Sequence, residues 1–174
     1  MDDPTHAAGT RRLYRLTGAR HAGDLSGKGA RLHPGRWNRH GDAVIYTSTS
    51  RALALAEVTM HVARHQLPLD LSWTILEVPQ AWWASAVCHA GEVPLDLRES
   101  RAFGAAWRAH QASPLLKVPS ATFADSARLA DACDWNVVIH AEHPQVQREL
   151  RCVQVRPFAV DARFWSGAAG AWDV

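Results

Sequence analysis

Glu57 lies in LALAEVTMH (53–61), a helical-looking stretch in which its neighbours are mostly Leu, Ala, Val and Met. A carboxylate on such a helix must reach water or find a partner, because an unpaired buried charge is costly. The pattern leaves two readings open. Glu57 is either an ordinary wet or ion-paired residue, or a carboxylate placed for chemistry. Arg36 is its natural partner, carried by the Gly-containing loop HPGRWN (33–38). Guanidinium grips phosphate or carboxylate through paired hydrogen bonds, although a loop arginine can equally be a plain surface charge. Tyr46 ends a short apolar run and could pack in a core or stack on a planar ring. Ser120 follows Pro119 in LLKVPSATF (115–123). It stands at a strand end, where site residues and turn-forming serines both occur.

Other patterns fail. Gly27-Lys28-Gly29 lacks the remainder of a phosphate-binding loop or a dinucleotide fingerprint. His61 and His65 have the spacing of a zinc pair on a helix, but HVARH carries Val where the metalloprotease motif has Glu, and no third ligand is evident. Ser120 has no G-x-S-x-G elbow around it. No metal is expected. Cys88, Cys133 and Cys152 are far apart, odd in number and free of CxxC spacing, which predicts buried free thiols.

The chain has 174 residues, enough for one domain with a real core. Lys+Arg 19 against Asp+Glu 17 is too balanced to suggest nucleic-acid binding by bulk charge. Lysine occurs only at Lys28 and Lys117, so the positive charge is mostly arginine. The start, MDDPTHAAGTRR, has no apolar segment of the signal-peptide kind, and no stretch has transmembrane length. The expected location is the cytoplasm.

The elements that must position these residues follow from periodicity. Residues 1–11 read as a loose arm and Leu13–Leu16 as a short strand. Residues 17–42 read as a long Gly-rich loop, which in a compact domain is usually functional. Residues 43–47 (AVIYT) form a strand by β-branched and aromatic content. The run Thr47-Ser48-Thr49-Ser50 supplies caps for a helix over about 50–66. Residues 73–78 read as a strand. A helix is predicted over 98–112, with Phe103 and Trp107 on one face. Residues 115–118, 136–139 and 150–155 complete the strands, and the Gly/Ala-rich tail (about 166–174) is irregular. Strands dominate and do not alternate regularly with the two long helices, so the class is α+β.

Taken together, these segments resemble the RES-domain family, toxins of bacterial toxin–antitoxin pairs. The resemblance rests on residues 13–62, with G-R-W-N, a Tyr-containing strand, a Ser/Thr cap and L-A-x-x-E. LLKVPSATF (115–123), WNVVIHAEHP (135–144) and FAVDARFW (158–165) follow in family order. Pro34-Gly35 replaces the family's frequent Gly-Gly, and His140-Ala141 its Asn-Pro. The latter puts the local turn in question.

The resemblance implies one RES-like domain over 1–174 with a fold similar to ADP-ribosyltransferase toxins, a curved β core flanked by helices. It implies NAD as substrate, cleaved at the nicotinamide–ribose bond by water or phosphate, with no cofactor. It carries the site onto Arg36, Tyr46, Glu57 and Ser120. Glu57 would stabilise the oxocarbenium charge on ribose. Arg36 would hold the pyrophosphate, Tyr46 would stack near the nicotinamide end, and Ser120 would hydrogen-bond it. Arg15 and Lys28 are secondary candidates for the phosphates. A cognate antitoxin, DNA-binding and covering the NAD pocket, is the implied partner, with a homodimer inside that complex. Two alternatives stand beside this. One is ADP-ribose transfer to a protein. The other is a non-catalytic nucleotide- or partner-binding module.

Overall fold

The computed structural model describes residues 9–61, 70–123 and 134–159, His61 by its backbone only. Strands β1 (Thr10–Gly18), β2 (Val44–Ser48), β3 (Leu71–Pro79), β4 (Val87–Cys88), β5 (Leu115–Val118), β6 (Asn136–His140) and β7 (Arg151–Pro157) form one sheet in the order β4-β5-β6-β2-β1-β3-β7. The helices are α1 (Lys28–Leu32), α2 (Arg51–His61), α3 (Gln80–Ala84), α4 (Leu97–His110) and α5 (Pro144–Glu149). Pairing is antiparallel throughout except between β4 and β5. The α+β expectation holds.

Alternation along the strands builds a core on each face of the sheet. Ile45, Leu115, Val137 and Ile139 face one cluster, which continues through Leu13, Leu76, Val78 and Trp82. Their neighbours Val44, Leu116, Val118 and Val138 face the other, with Trp37 and Trp107. Each such burial stabilises by about 1.5–3 kcal/mol. Tyr46 packs on this second cluster, as do Phe103 and Trp107 of α4.

The sheet has one weak seam. β1 runs against β3 through nine consecutive pairs, Thr10↔Pro79 to Gly18↔Leu71. Against β2 it registers through a single pair, Tyr14↔Ser48. Beyond that pair the two central strands separate.

Several boundaries differ from the sequence reading. The arm expected over 1–11 gives way at Thr10, because the β3 ladder imposes strand on TRR, which has little apolar content of its own. The loop expected over 17–42 contains α1 and a 3-10 turn at Ala19–His21. Three short elements, α3, β4 and α5, had no periodicity long enough to read. α5 opens with Pro144 and with His143 Nδ1 accepting from Gln145 N at 3.3 Å. The turn before it, in question after the His140-Ala141 substitution, is closed by His143 N donating to His140 O at 3.0 Å. Cys88 is exposed rather than buried, since it lies on the two-residue edge strand β4, and Cys152 is half-buried. Cys133, His65 and the 166–174 tail lie outside the described residues. Among the described residues no helix is long and apolar enough to cross a membrane, and no His/Cys/Asp/Glu group could hold a metal ion.

Candidate active site

The α2 helix is capped by Ser50, whose Oγ accepts from Leu53 N at 3.1 Å. Leu53 is fully buried, and Leu55 and Val58 pack against Leu16 and Leu71. Met60, on the same stripe as Leu53 by spacing, is exposed. With Leu55 and Val58 engaged on β1 and β3, Glu57 reaches the ends of β5 and β6. There its Oε1 accepts from Ser120 Oγ at 2.6 Å and from Asn136 Nδ2 at 2.6 Å. Ser120 is itself held, its Oγ accepting from Thr122 N at 3.0 Å and from Phe123 N at 3.4 Å. Asn136 Oδ1 accepts from Ser48 Oγ at 2.8 Å. Charge-assisted bonds of this length are strong ones. The convergence is set by register, since Asn136 is the Cα partner of both Ser48 on β2 and Val118 on β5.

The G-R-W-N loop is built around Tyr46. Its hydroxyl donates to Asn38 Oδ1 at 2.9 Å and accepts from Trp37 N at 2.9 Å. Asn38, fully buried, also takes Gly35 N at 2.8 Å and donates to Ala30 O at 2.9 Å. A Cβ on Gly35 would stand 2.7 Å from the Tyr46 hydroxyl, so only glycine lets the loop lie on that ring. Burial pushes the Tyr46 phenol up to about 12, so it stays a neutral donor.

One face of α4 clamps the same loop. Arg101 Nε donates to Gly35 O at 3.1 Å, Gly104 lies against the Trp37 carbonyl, and Arg108 pairs with Asp42. Arg108 also bridges to Glu142 at 2.9 Å, and Glu142 to Arg31. Within this frame Gly35, Trp37 and Asn38 are spent on structure. Arg36 donates through Nη1 to Pro94 O at 2.7 Å and is half-buried. A guanidinium has five N–H donors, so this bond positions it and leaves donors over.

Beside the loop, the separation of β1 from β2 opens a cleft of about 320 Å3. Its wall includes Arg15 of β1, Val44 to Tyr46 of β2, and Asp24, Gly27, Lys28, His33 and Gly35. Arg15 Nη1 donates to Asp24 O at 2.8 Å. Burial lowers its guanidinium from the usual value, and the Asp24 carboxylate works against that shift. Lys28 is exposed at the rim.

The structure therefore brings Glu57 and Ser120 into direct contact. It places Tyr46, Arg15 and Lys28 on one cleft, and it ties Arg36 to Tyr46 through the shared loop. Arg36, Glu57 and Ser120 do not line that cleft. Tyr46 joins the two groups, because it lies two residues from Ser48 on the same face of β2, about 7 Å along the strand. Sequence reasoning missed Ser48 and Asn136. Ser48 was hidden in a run of four hydroxyl residues read as helix caps. Asn136 carried a signal, a polar residue opening the apolar strand NVVIH.

The profile of the RES domain matches residues 12–161. This chain belongs to the RES-domain family. It is similar to the Prs ADP-ribosylating toxin of Sphingobium sp. (strain YBL2), 35% identical over 149 residues, 82% of this chain and 87% of that protein. It is also similar to the Toxin Res of Yersinia enterocolitica, 29% identical over 164 residues, 87% of this chain and 97% of that protein. The fold is shared with a chain from the Mycobacterium tuberculosis MbcT–MbcA toxin–antitoxin complex. The TM-score is 0.61 at 23% identity, covering 86% of this chain and 85% of that one. The match spans most of the length of both of these relatives.

Proposed function

We propose that this RES-domain chain is a toxin that cleaves the nicotinamide–ribose bond of NAD. The observation that carries the proposal is the Glu57 carboxylate, pinned at one oxygen by Ser120 and Asn136 and linked through Ser48 and Tyr46 of β2 to a cleft lined with Arg15 and Lys28. When the C1′–N bond breaks, its electron pair leaves with nicotinamide, which departs neutral and needs no strong acid. The ribose is left with oxocarbenium character. A fixed carboxylate facing it stabilises that charge more than it stabilises the ground state. Acceptor oxygen then bonds to C1′ and gives up its proton.

The other groups take roles that their contacts favour. Arg36, Arg15 and Lys28 carry the positive charge that a pyrophosphate needs. The Tyr46 ring forms part of the wall, while its hydroxyl is committed to the loop, which suits stacking. Ser120 spends its O–H on Glu57, which favours orienting the carboxylate over binding nicotinamide. No cofactor is invoked; phosphate is an alternative acceptor to water.

A second acceptor is favoured by one observation, the name ADP-ribosylating toxin borne by a relative at 35% identity. Transfer to a protein uses the same bond cleavage. An enzyme of either kind harms its host, so a cognate antitoxin covering the cleft, itself DNA-binding, is the proposed partner. The solved neighbour comes from a toxin–antitoxin complex.

The test is an NAD time course with product identification, with and without phosphate and with a candidate acceptor protein. Nicotinamide release by wild type, nearly abolished in Glu57→Gln, is expected. Equal release by Glu57→Gln, or none by wild type, would overturn the proposal.

A further inference from the structure

We infer that Ser48 is a positioning residue of this site, acting on Glu57 through Asn136; the inference rests on the role given to Glu57 above. Four hydroxyl residues run in sequence from Thr47 to Ser50, and three are spent on backbone. Thr47 Oγ1 donates to Val137 O at 2.7 Å, Thr49 Oγ1 donates to Trp135 O at 3.3 Å, and Ser50 caps α2. Ser48 is buried, and its hydroxyl goes to the Asn136 side chain at 2.8 Å.

A side-chain amide has two ends of nearly equal shape, so its partners decide which end points where. The acceptor-only carboxylate takes Nδ2, and Ser48, donating to Oδ1, anchors the far end of the amide and holds its rotation. The reversed amide would set two acceptors, Oδ1 and the carboxylate, 2.6 Å apart. Ser120 donates to the same Oε1. Both donors thus converge on one oxygen, and among the described residues Oε2 accepts none. That fixes the carboxylate plane and presents Oε2 to substrate before substrate arrives, which is what preorganisation requires. Strand β2 supplies Ser48, β6 supplies Asn136, and the chain leaving β5 supplies Ser120. Removing Ser48 frees the amide to rotate without touching the carboxylate itself.

The test compares wild type, Ser48→Ala, Ser48→Cys and Ser48→Thr for nicotinamide release, and follows the Asn136 side-chain amide signals by NMR. Ser48→Ala should lower kcat by about tenfold to a hundredfold, with KM changed by less than about twofold. Thr, which keeps the hydroxyl, should restore most of kcat. Cys, a weak donor of similar size, should fall between, and it carries the test if the Ala variant does not fold. The Asn136 amide signals should move in Ser48→Ala and in Glu57→Gln. Wild-type kcat in Ser48→Ala or Ser48→Cys, or Thr as impaired as Ala, would overturn the inference. If wild type releases no nicotinamide, the Glu57 role fails and the amide signals decide alone. Signals unmoved by Ser48→Ala would then sink the relay.

Discussion

Ser120 and Glu57, 63 residues apart in the chain, share a 2.6 Å hydrogen bond. Ser120 is buried and stands where β5 has just ended. Its oxygen also holds Thr122 N and Phe123 N. Ser120→Ala should therefore lower kcat for nicotinamide release by about tenfold to a hundredfold, the range for groups that orient a reacting residue. KM for NAD should stay within about twofold. Amide exchange at Thr122 and Phe123 should quicken in the same variant. A fall confined to KM would instead put Ser120 on the substrate.

Tyr46 makes a different kind of contribution. Tyr46→Phe keeps the ring and removes a hydroxyl bonded to both Asn38 and Trp37 N. A buried N–H left without its partner costs about 1–3 kcal/mol. Urea unfolding should show a loss of that size. Activity should fall with it, because the loop carrying Arg36 loses its anchor. A variant as stable as wild type would mean that the loop is held by α4 alone.

Arg36 is tied to its surroundings by a hydrogen bond to the Pro94 carbonyl, so its removal should be cheap in stability. Arg36→Ala should raise KM for NAD about tenfold, equivalent to about 1.4 kcal/mol, with kcat less affected. Arg36→Lys should recover only part of this, since an ammonium lacks the two-pronged geometry of guanidinium. An unchanged KM in Arg36→Ala would remove it from the phosphate role.

His140 predicts a pH effect on stability. Burial first, then the nearby Arg108 charge, holds it down at about 4, against about 6.5 for free histidine. Between these values the unfolded chain binds a proton that the folded chain refuses. Stability is thus complete above about pH 6.5 and falls as pH drops toward about 4. The slope from this group reaches about 1.4 kcal/mol per pH unit. His140→Gln should flatten that part of the profile in urea titrations across the window. Parallel profiles for the two proteins would show that His140 is not the source.

Legibility in the sequence followed how local each signal was. Glu57 stood out because it interrupts an apolar helix, and that contrast is contained within one turn. The α+β class was readable from strand runs such as NVVIH and WTILEV. The pairing of Glu57 with Ser120 was not readable, because it depends on β5 and β6 lying side by side, a fact of topology. Arg36 attracted attention as a charge in a glycine loop. The structural duty of its neighbours became visible only once α4 was seen to present Arg101, Gly104 and Arg108 to that loop. Ser48 was masked by chemistry it shares with Thr47, Thr49 and Ser50. Strand β1 started earlier than its composition suggests because a nine-pair ladder overrode weak local preference.

The single register pair between β1 and β2 has a further consequence. Most clefts in sheets are crevices at strand ends, but this one is a slot between neighbours that have already parted. Whatever fills it breaks no ladder hydrogen bond on entering and restores none on leaving. The slot is framed on both sides by strands with ladders of their own, β1 with β3 and β2 with β6.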